Sequence, residues 1–206
     1  MKSFFTKLAD NPVIFNFLRV ILEANFRQIK YVIKNECKID SSTKLLDLGC
    51  GTGQMYDSFR DFNCNYTGAD IDLNYIEFEK KKYNSKKKEN NPKFIFCDAR
   101  KMPFNENEFD FVFVFGVFHH LSDENSISVF KEINRIIKNA GKILIIEDID
   151  IESKWDLIGN ILRKLDKGNF IRQLNSWKKL FETNFEIKKT YRIKSGFISY
   201  QVFILK

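Results

Sequence analysis

Two stretches of the sequence contain almost nothing but apolar residues, and they constrain the fold more than any other feature. They read FDFVFVFG at 109–116 and GKILIIEDI at 141–149. A strand that is apolar on both faces must be covered on both faces, which is typical of a parallel sheet flanked by helices. Further predicted strands at 44–49, 65–70 and 93–99 alternate with helical segments, so we expect an α/β fold.

The remaining segments extend this pattern to a doubly wound, seven-stranded and mostly parallel sheet. We predict helices over 54–62, 73–83, 123–139 and 176–184. An Asp or Ser caps the third of these helices, which closes near Gly141, and Ser176 is a possible cap for the fourth. Two strands then follow at 185–193 and 196–206, and their short connection predicts an antiparallel hairpin.

The stretch LLDLGCGTGQ at 45–54 follows directly on the first predicted strand of the sheet. Gly49, Gly51 and Gly53 allow a tight turn and a close approach to a ligand, at the strand end where α/β sheets bind ligands. A dinucleotide site would need the spacing G-x-G-x-x-G, but the sixth position here is Gln54. Asp47 would repel a pyrophosphate and would suit an ammonium group. The alternatives are a plain tight turn and an acid that only caps the loop amides.

Several segments in the right order resemble those of the class I S-adenosylmethionine-dependent methyltransferases. LDLGCGTG is similar to the glycine motif of that family, and YTGADID and FIFCDARKMPF are similar to its second and third strand segments. The two apolar strands match its fourth and fifth strands. The likeness is greatest to the branch that contains quinone-biosynthesis methyltransferases. It implies a Rossmann-like sheet and S-adenosylmethionine as cofactor.

The resemblance also assigns residues to the cofactor. It places Asp70 at the ribose hydroxyls and Asp98 with Ala99 at the adenine. Ile71 and Phe115 join the same cofactor-binding set, together with Asp47 and the three glycines. The alternative for Asp70 and Asp98 is that each is a loop acid that caps a helix.

The sequence offers few candidates for the chemistry of methyl transfer. His119 and His120 follow the fourth strand and are candidate general bases, although an imidazole bonded to the loop backbone is an equally good interpretation. Glu147 and Asp148 end the fifth strand, where they can contact the acceptor. Two tyrosines of the terminal hairpin, Tyr191 and Tyr200, are interpreted as packing residues.

Absent motifs narrow the class of acceptor. The sequence lacks the Asn/Asp-Pro-Pro-Tyr segment of amino-methylating nucleic-acid enzymes and the Pro-Cys nucleophile of cytosine C5 enzymes. We could assemble no acidic cluster for metal-dependent chemistry and predict no metal. A small organic acceptor remains, methylated on O, N or C.

The chain is expected to form a single domain over 1–206, with a cofactor-binding core over 44–148. A helical lid over 1–40 precedes this core, and lid helices with the terminal hairpin follow it over 151–206. The resemblance implies that the first lid and the segment 151–175 cover the site and select the acceptor. The second lid contains an apolar wall, which is interpreted either as core packing or as the lining of an apolar acceptor pocket. This wall comprises Trp155, Leu157, Ile158, Ile161, Leu162 and Phe170.

The largely apolar segment 12–33 is predicted to be an amphipathic helix, not a membrane span. Charged residues interrupt it on one stripe, at Arg19, Glu23, Arg27 and Lys30. Its buried side is expected to comprise Ile14, Leu18, Ile21, Leu22, Ile29 and Val32.

Two functions other than methylation of a small organic acceptor remain open. The net charge is +7, and much of it lies in the lysine-rich run 79–93. This run indicates a solvated helix end or a patch for nucleic acid or anionic lipid, so RNA methylation is an alternative. A non-catalytic, cofactor-binding partner subunit is another.

Four scattered cysteines and the lack of a signal-peptide pattern favour the cytoplasm, and nothing in the sequence fixes the oligomeric state.

Overall fold

The structure is a computed structural model that describes residues 20–83, 92–149 and 170–206. Along the chain these residues form the helices and strands α1 (Arg27–Glu36), β1 (Lys44–Leu48), α2 (Tyr56–Phe59), β2 (Asn65–Asp70), α3 (Leu73–Tyr83), β3 (Lys93–Phe96), β4 (Phe109–Phe115), α4 (Asp123–Ile136), β5 (Ile137–Asp148), α5 (Leu174–Phe181), β6 (Ile187–Ser195) and β7 (Ile198–Leu205). Short 3-10 turns precede α1, follow α2 and cover Phe118–His120. No helix among these residues is both long and apolar enough to cross a membrane.

The strands form one seven-stranded sheet in the order β3-β2-β1-β4-β5-β7-β6. Strands β1 to β5 pair in parallel, whereas β7 lies antiparallel to both β5 and β6. The predicted sheet and its terminal hairpin are thereby confirmed. Because chain order reverses between β1 and β4, the carboxyl ends of these two strands flank the crevice where such sheets bind ligands.

Apolar residues cover both faces of the sheet, as the two continuous apolar strands predict. One cluster joins Leu45, Phe111 and Phe113 to the helices α1, α2 and α3. The other joins Leu46, Val112 and the side chains of α4 and α5. The alternate residues of each central strand therefore face different helical layers, and the sheet is buried between them.

The amphipathic segment before the sheet differs from the predicted continuous helix. Ala24, Asn25 and Phe26 all adopt left-handed conformations, with φ of 49°, 56° and 54°, and α1 begins only after them. This break turns Glu23 into the interior, where it is completely buried, and leaves Ile21 exposed. The predicted positions of both residues are therefore wrong, whereas Ile29 and Val32 are buried as predicted. Ile14, Leu18 and Arg19 lie outside the described residues.

Two helix boundaries also differ from prediction. Helix α4 ends at Ile136 because the chain turns back at once beside β4, with Glu108 N–H bonded to the Ile136 carbonyl at 2.7 Å. Gly141 therefore lies inside β5, where a Cβ would overlap the Ile137 side chain, and it does not close the helix. Helix α5 begins at Leu174, after Gln173, so that Ser176 is not its cap.

Candidate functional site

The loop after β1 has the backbone that the glycine pattern predicts. Gly49, Gly51 and Gly53 have φ values of +75°, +55° and +64°, which favour glycine. A Cβ would overlap the Val117 side chain at position 49 and the Glu79 carboxyl at position 53. Among the residues that the structure describes, no atom lies within 4 Å of the Cβ position of Gly51. Gly49 and Gly53 therefore permit close packing, while Gly51 keeps an open face on which a ligand can lie.

Asp70 connects this loop to the end of β2. One carboxylate oxygen accepts the Gly51 N–H at 2.8 Å, and the other accepts the Asp72 N–H at 2.8 Å. Burial raises the pKa of Asp70, while these backbone hydrogen bonds act in the opposite direction. Each oxygen has a further lone pair with which it can accept a hydroxyl group. Ile71, the next residue, is 62% exposed and presents an apolar side chain beside the carboxylate.

Asp98 lies in the neighbouring loop after β3, where Arg100 binds its side chain. The guanidinium contacts both carboxylate oxygens, with Nη2 2.8 Å from Oδ2 and Nε 3.0 Å from Oδ1. These hydrogen bonds lower the pKa of Asp98. The loop is joined to β2 because Cys97 N–H donates to the Asp70 carbonyl at 2.8 Å. Ala99 follows in the same loop, so the acids predicted to hold ribose and adenine lie on adjacent segments.

Asp47 is buried beneath the glycine loop. It accepts a hydrogen bond from the Tyr66 hydroxyl at 2.5 Å, and burial raises the pKa of this carboxyl to about 7. No sequence signal indicated Tyr66 as the partner of Asp47. Phe115, at the end of β4, is also buried, and its ring lies edge-on to Phe26 and Tyr200 with centroid distances of 6.2 Å and 5.2 Å.

The two histidines occupy a short turn that is organised by Glu147. The buried Glu147 carboxylate accepts the backbone N–H groups of Val117 at 2.8 Å and Phe118 at 2.7 Å. The same carboxylate lies 2.9 Å from His119 Nδ1. Because the Glu147 oxygens also accept backbone N–H groups, Nδ1 is assigned as the donor to Glu147, and Nε2 lies 3.7 Å from Asp148 Oδ2. His119 is buried, whereas His120 is exposed and its ring centroid lies 4.0 Å from that of His119.

Arg172 anchors this turn to the segment that precedes α5, a contact that no sequence signal indicated. Its guanidinium donates to the Phe118 carbonyl at 3.0 Å and to the Leu121 carbonyl at 2.8 Å, and it bonds to Asp123 Oδ1 at 2.6 Å. Phe170 N–H also donates to the His119 carbonyl at 2.9 Å. The rest of the predicted apolar wall, from Trp155 to Leu162, lies outside the described residues.

Tyr191 and Tyr200 pack as predicted, and each also donates a hydrogen bond to a glutamate. Tyr191 OH bonds to Glu36 at 2.9 Å, and Tyr200 OH bonds to the buried Glu23 at 2.8 Å. Within residues 20–83, 92–149 and 170–206, no three His, Cys, Asp or Glu side chains are grouped as metal ligands.

Comparison with known proteins agrees with this geometry. Residues 46–145 match the methyltransferase domain family Methyltransf_11. The demethylmenaquinone methyltransferase of Staphylococcus saprophyticus is 30% identical over 56% of this chain and 48% of its own length. The sterol 4-C-methyltransferase strm-1 of Caenorhabditis elegans is 27% identical over 60% of this chain and 36% of its own length. The chain thus spans about half or less of these two relatives.

A solved structure, geranyl diphosphate C-methyltransferase from Streptomyces coelicolor, has the same fold. It superposes with a TM-score of 0.71 and 14% identity, over 87% of this chain and 79% of that one. The family match covers the glycine loop, Asp70, Asp98 and the histidine turn. Residues 46–145 therefore match a methyltransferase domain family, in agreement with the resemblance of the sequence.

Proposed function

We propose that the chain transfers a methyl group from S-adenosylmethionine to a small organic acceptor. The observation that carries this proposal is the open face of the glycine loop at Gly51, whose amide is held by Asp70. A ligand on that face meets backbone without side chains, beside a carboxylate suited to hydroxyl groups. The loop lies at the strand-order switch, so the ligand also faces the ends of β1 and β4.

In this proposal, residues of three loops hold the cofactor. Asp70 accepts hydrogen bonds from the ribose hydroxyls, and Ile71 covers one face of the adenine. Asp98 and Ala99 read the edge of the adenine, and Arg100 keeps Asp98 ionised and oriented for this contact. Phe115 closes the inner end of the site. Asp47 acts from behind the loop as a negative charge that favours an ammonium group.

S-adenosylmethionine supplies a methyl group that is electrophilic because it is bound to a sulfonium. The chain must then orient a nucleophile in line with that methyl group and exclude water. Of the two candidate bases we assign proton removal to His120, which is exposed, since a base must reach its substrate. His119 is assigned a positioning role because Glu147 holds its Nδ1 inside the turn.

We further propose that the acceptor is largely apolar. Phe26, Phe115 and Tyr200 form an aromatic cluster at the end of β4, next to the cofactor crevice. The relatives and the structural neighbour named above are methyltransferases of a demethylmenaquinone, a sterol and an isoprenoid diphosphate. Their names span several classes of molecule with large apolar parts, and this range favours an isoprenoid, quinone-like or lipid-like acceptor over a polar one.

The test has a binding step and a turnover step. Calorimetry should detect binding of both S-adenosylmethionine and its demethylated product, and absence of heat with both would refute the proposal. Methyl-labelled cofactor should then label apolar acceptors, such as prenylated quinols and sterols, in preference to sugars, nucleosides and RNA. Turnover of polar acceptors alone would refute the apolar acceptor, and binding without any turnover would indicate a non-catalytic subunit.

A further inference from the structure

Glu79 is a buried carboxyl group to which the proposed function gives no role. It lies on α3, and its side chain is completely buried. Neither of its oxygens has a hydrogen-bond partner in the described part of the chain. A Cβ on Gly53 would overlap this carboxyl, so Glu79 directly contacts the back of the third glycine of the loop.

The surroundings of Glu79 are mainly acidic. Burial, followed by the charge of Asp47, raises the pKa of Glu79 to about 9, and Lys82 opposes this effect. The titratable groups that interact with it are Asp47 on β1, Cys50 in the loop, Asp57 on α2, Tyr66 and Asp70 on β2, and Lys82 and Tyr83 on α3. At neutral pH Glu79 therefore keeps its proton, because an ionised carboxylate would be buried without a partner beside other acids.

A cation on the other side of the loop changes this balance. The methyl donor carries a sulfonium and an ammonium group, whereas the demethylated product has lost the sulfonium charge. A positive charge near a carboxyl favours its ionised form. By reciprocity, ionisation of the carboxyl must strengthen binding of the cation by the same factor.

We propose that Glu79, together with Asp47, couples binding of the cationic methyl donor to release of a proton from behind the glycine loop. The acidic pair then favours the donor over its product, and this preference increases as the pair ionises. Glu79 is thus a specificity-determining residue that acts through the loop without touching the ligand. This inference rests on the proposed function, because it requires that the loop binds the donor.

The test counts protons during binding. Calorimetric titrations with S-adenosylmethionine are run at about pH 8.5 in two buffers of different ionisation enthalpy, for wild type, E79Q and E77Q. A fall of about one unit in the Glu79 pKa would release about half a proton, and it means that the ionised form binds the donor about tenfold more tightly than the protonated form does. Glu77 is exposed on the same helix, so E77Q makes the same carboxyl-to-amide change without the burial. The amino group of the donor contributes equally in all three proteins.

We expect wild type and E77Q to release about half a proton more than E79Q does with the donor, and this difference to shrink with the demethylated product. Equal proton counts in wild type and E79Q would overturn the inference and leave the proposed function intact. Absence of donor binding to wild type would instead refute the proposed function. Should E79Q fail to fold, carboxyl ¹³C NMR of the wild type decides, because a Glu79 midpoint near 4.5, or one that the donor does not move, overturns the inference.

Discussion

Asp70 holds the amide of Gly51 with one carboxylate oxygen and the amide of Asp72 with the other. The same side chain therefore shapes the loop before any ligand arrives and offers its remaining lone pairs to hydroxyl groups. In the described part of the chain, no side chain fills the space above Gly51. At the scale of single residues, the proposed site depends on one acid and one missing Cβ.

Replacing Asp70 with Asn should weaken S-adenosylmethionine binding by about 10- to 100-fold, because each charge-assisted hydrogen bond contributes roughly 1.5–3 kcal/mol. Calorimetric titration measures this loss directly. The matched control is Asp61→Asn, which changes an exposed acid on the turn after α2 and should leave the Kd unchanged. An unchanged Kd in the Asp70 variant would remove this residue from the cofactor site.

Two glycine substitutions should separate packing from binding. Both Gly49→Ala and Gly51→Ala place a Cβ on a left-handed backbone, which costs about 1–2 kcal/mol. Only the change at 49 also overlaps Val117, so we expect this variant to be less stable by about a further 1–3 kcal/mol in urea denaturation. The variant at 51 should fold but bind cofactor weakly. Tight binding by folded Gly51→Ala would show that the open face is not the ligand face.

At the scale of elements, the histidine turn is held from two sides. Glu147, from β5, binds three consecutive backbone N–H groups and the His119 ring. Arg172, before α5, binds the carbonyls of Phe118 and Leu121. The donors of the turn are thus satisfied by one buried acid and several of its acceptors by one arginine. This division suits a turn that must keep a fixed geometry beside a reacting group.

Glu147→Gln should loosen this turn. A Gln side chain has one acceptor oxygen instead of two, so at least one buried N–H loses its partner, at a cost of about 2 kcal/mol or more. Oε1 accepts the Val117 and Phe118 N–H groups and Oε2 accepts the His119 N–H, so either orientation of the amide should lower the free energy of unfolding and speed hydrogen exchange at one or more of these three residues. Glu182→Gln, on the exposed end of α5, serves as the control. Unaltered exchange at all three amides would contradict the role given to Glu147.

Local sequence patterns predicted much of the geometry of the candidate site, whereas contacts between distant segments could not be predicted from the sequence. The glycine spacing and the acid at the end of β2 are local features, and both have the expected geometry. The predicted position of Glu23 is wrong because the three non-glycine residues after it adopt left-handed conformations, next to a hydrogen bond from Ser195 of the hairpin to the Glu23 carbonyl. Glu79 lies in the charged run EFEKKKY, where the sequence indicates a solvated helix end. It is buried because this side of α3 faces the glycine loop.

At the scale of the whole molecule, two buried acids determine how stability responds to alkali. Burial raises the pKa of Glu79 from 4.5 to about 9 and that of Asp47 from 3.8 to about 7. The folded state holds these protons more tightly than the unfolded state does. Stability from this source is therefore complete below the unfolded pKa values, and it is lost as the pH rises through the folded ones.

We expect the free energy of unfolding to fall between about pH 5 and pH 9, by at most about 1.4 kcal/mol per pH unit for each group. Carboxyls with lowered pKa, such as Asp98 and Glu132, lose their contributions only at more acidic pH. Urea denaturation across this pH range measures the slope, and E79Q should flatten it above about pH 7. A slope that E79Q leaves unaltered would show that Glu79 ionises normally in the folded chain.

The contact between the N-terminal turn and the terminal hairpin has a consequence for biosynthesis. Gly196 lies against the backbone of Leu22 and Glu23, where any Cβ would overlap, and Ser195 donates a hydrogen bond to the Glu23 carbonyl across 172 positions of sequence. The residues around Glu23 therefore acquire these contacts only after the hairpin, 172 positions later in the chain, has been synthesised. A nascent chain that has already synthesised its glycine loop would still lack the contact between the N-terminal turn and the hairpin. Translation therefore delays this contact until the hairpin has emerged from the ribosome.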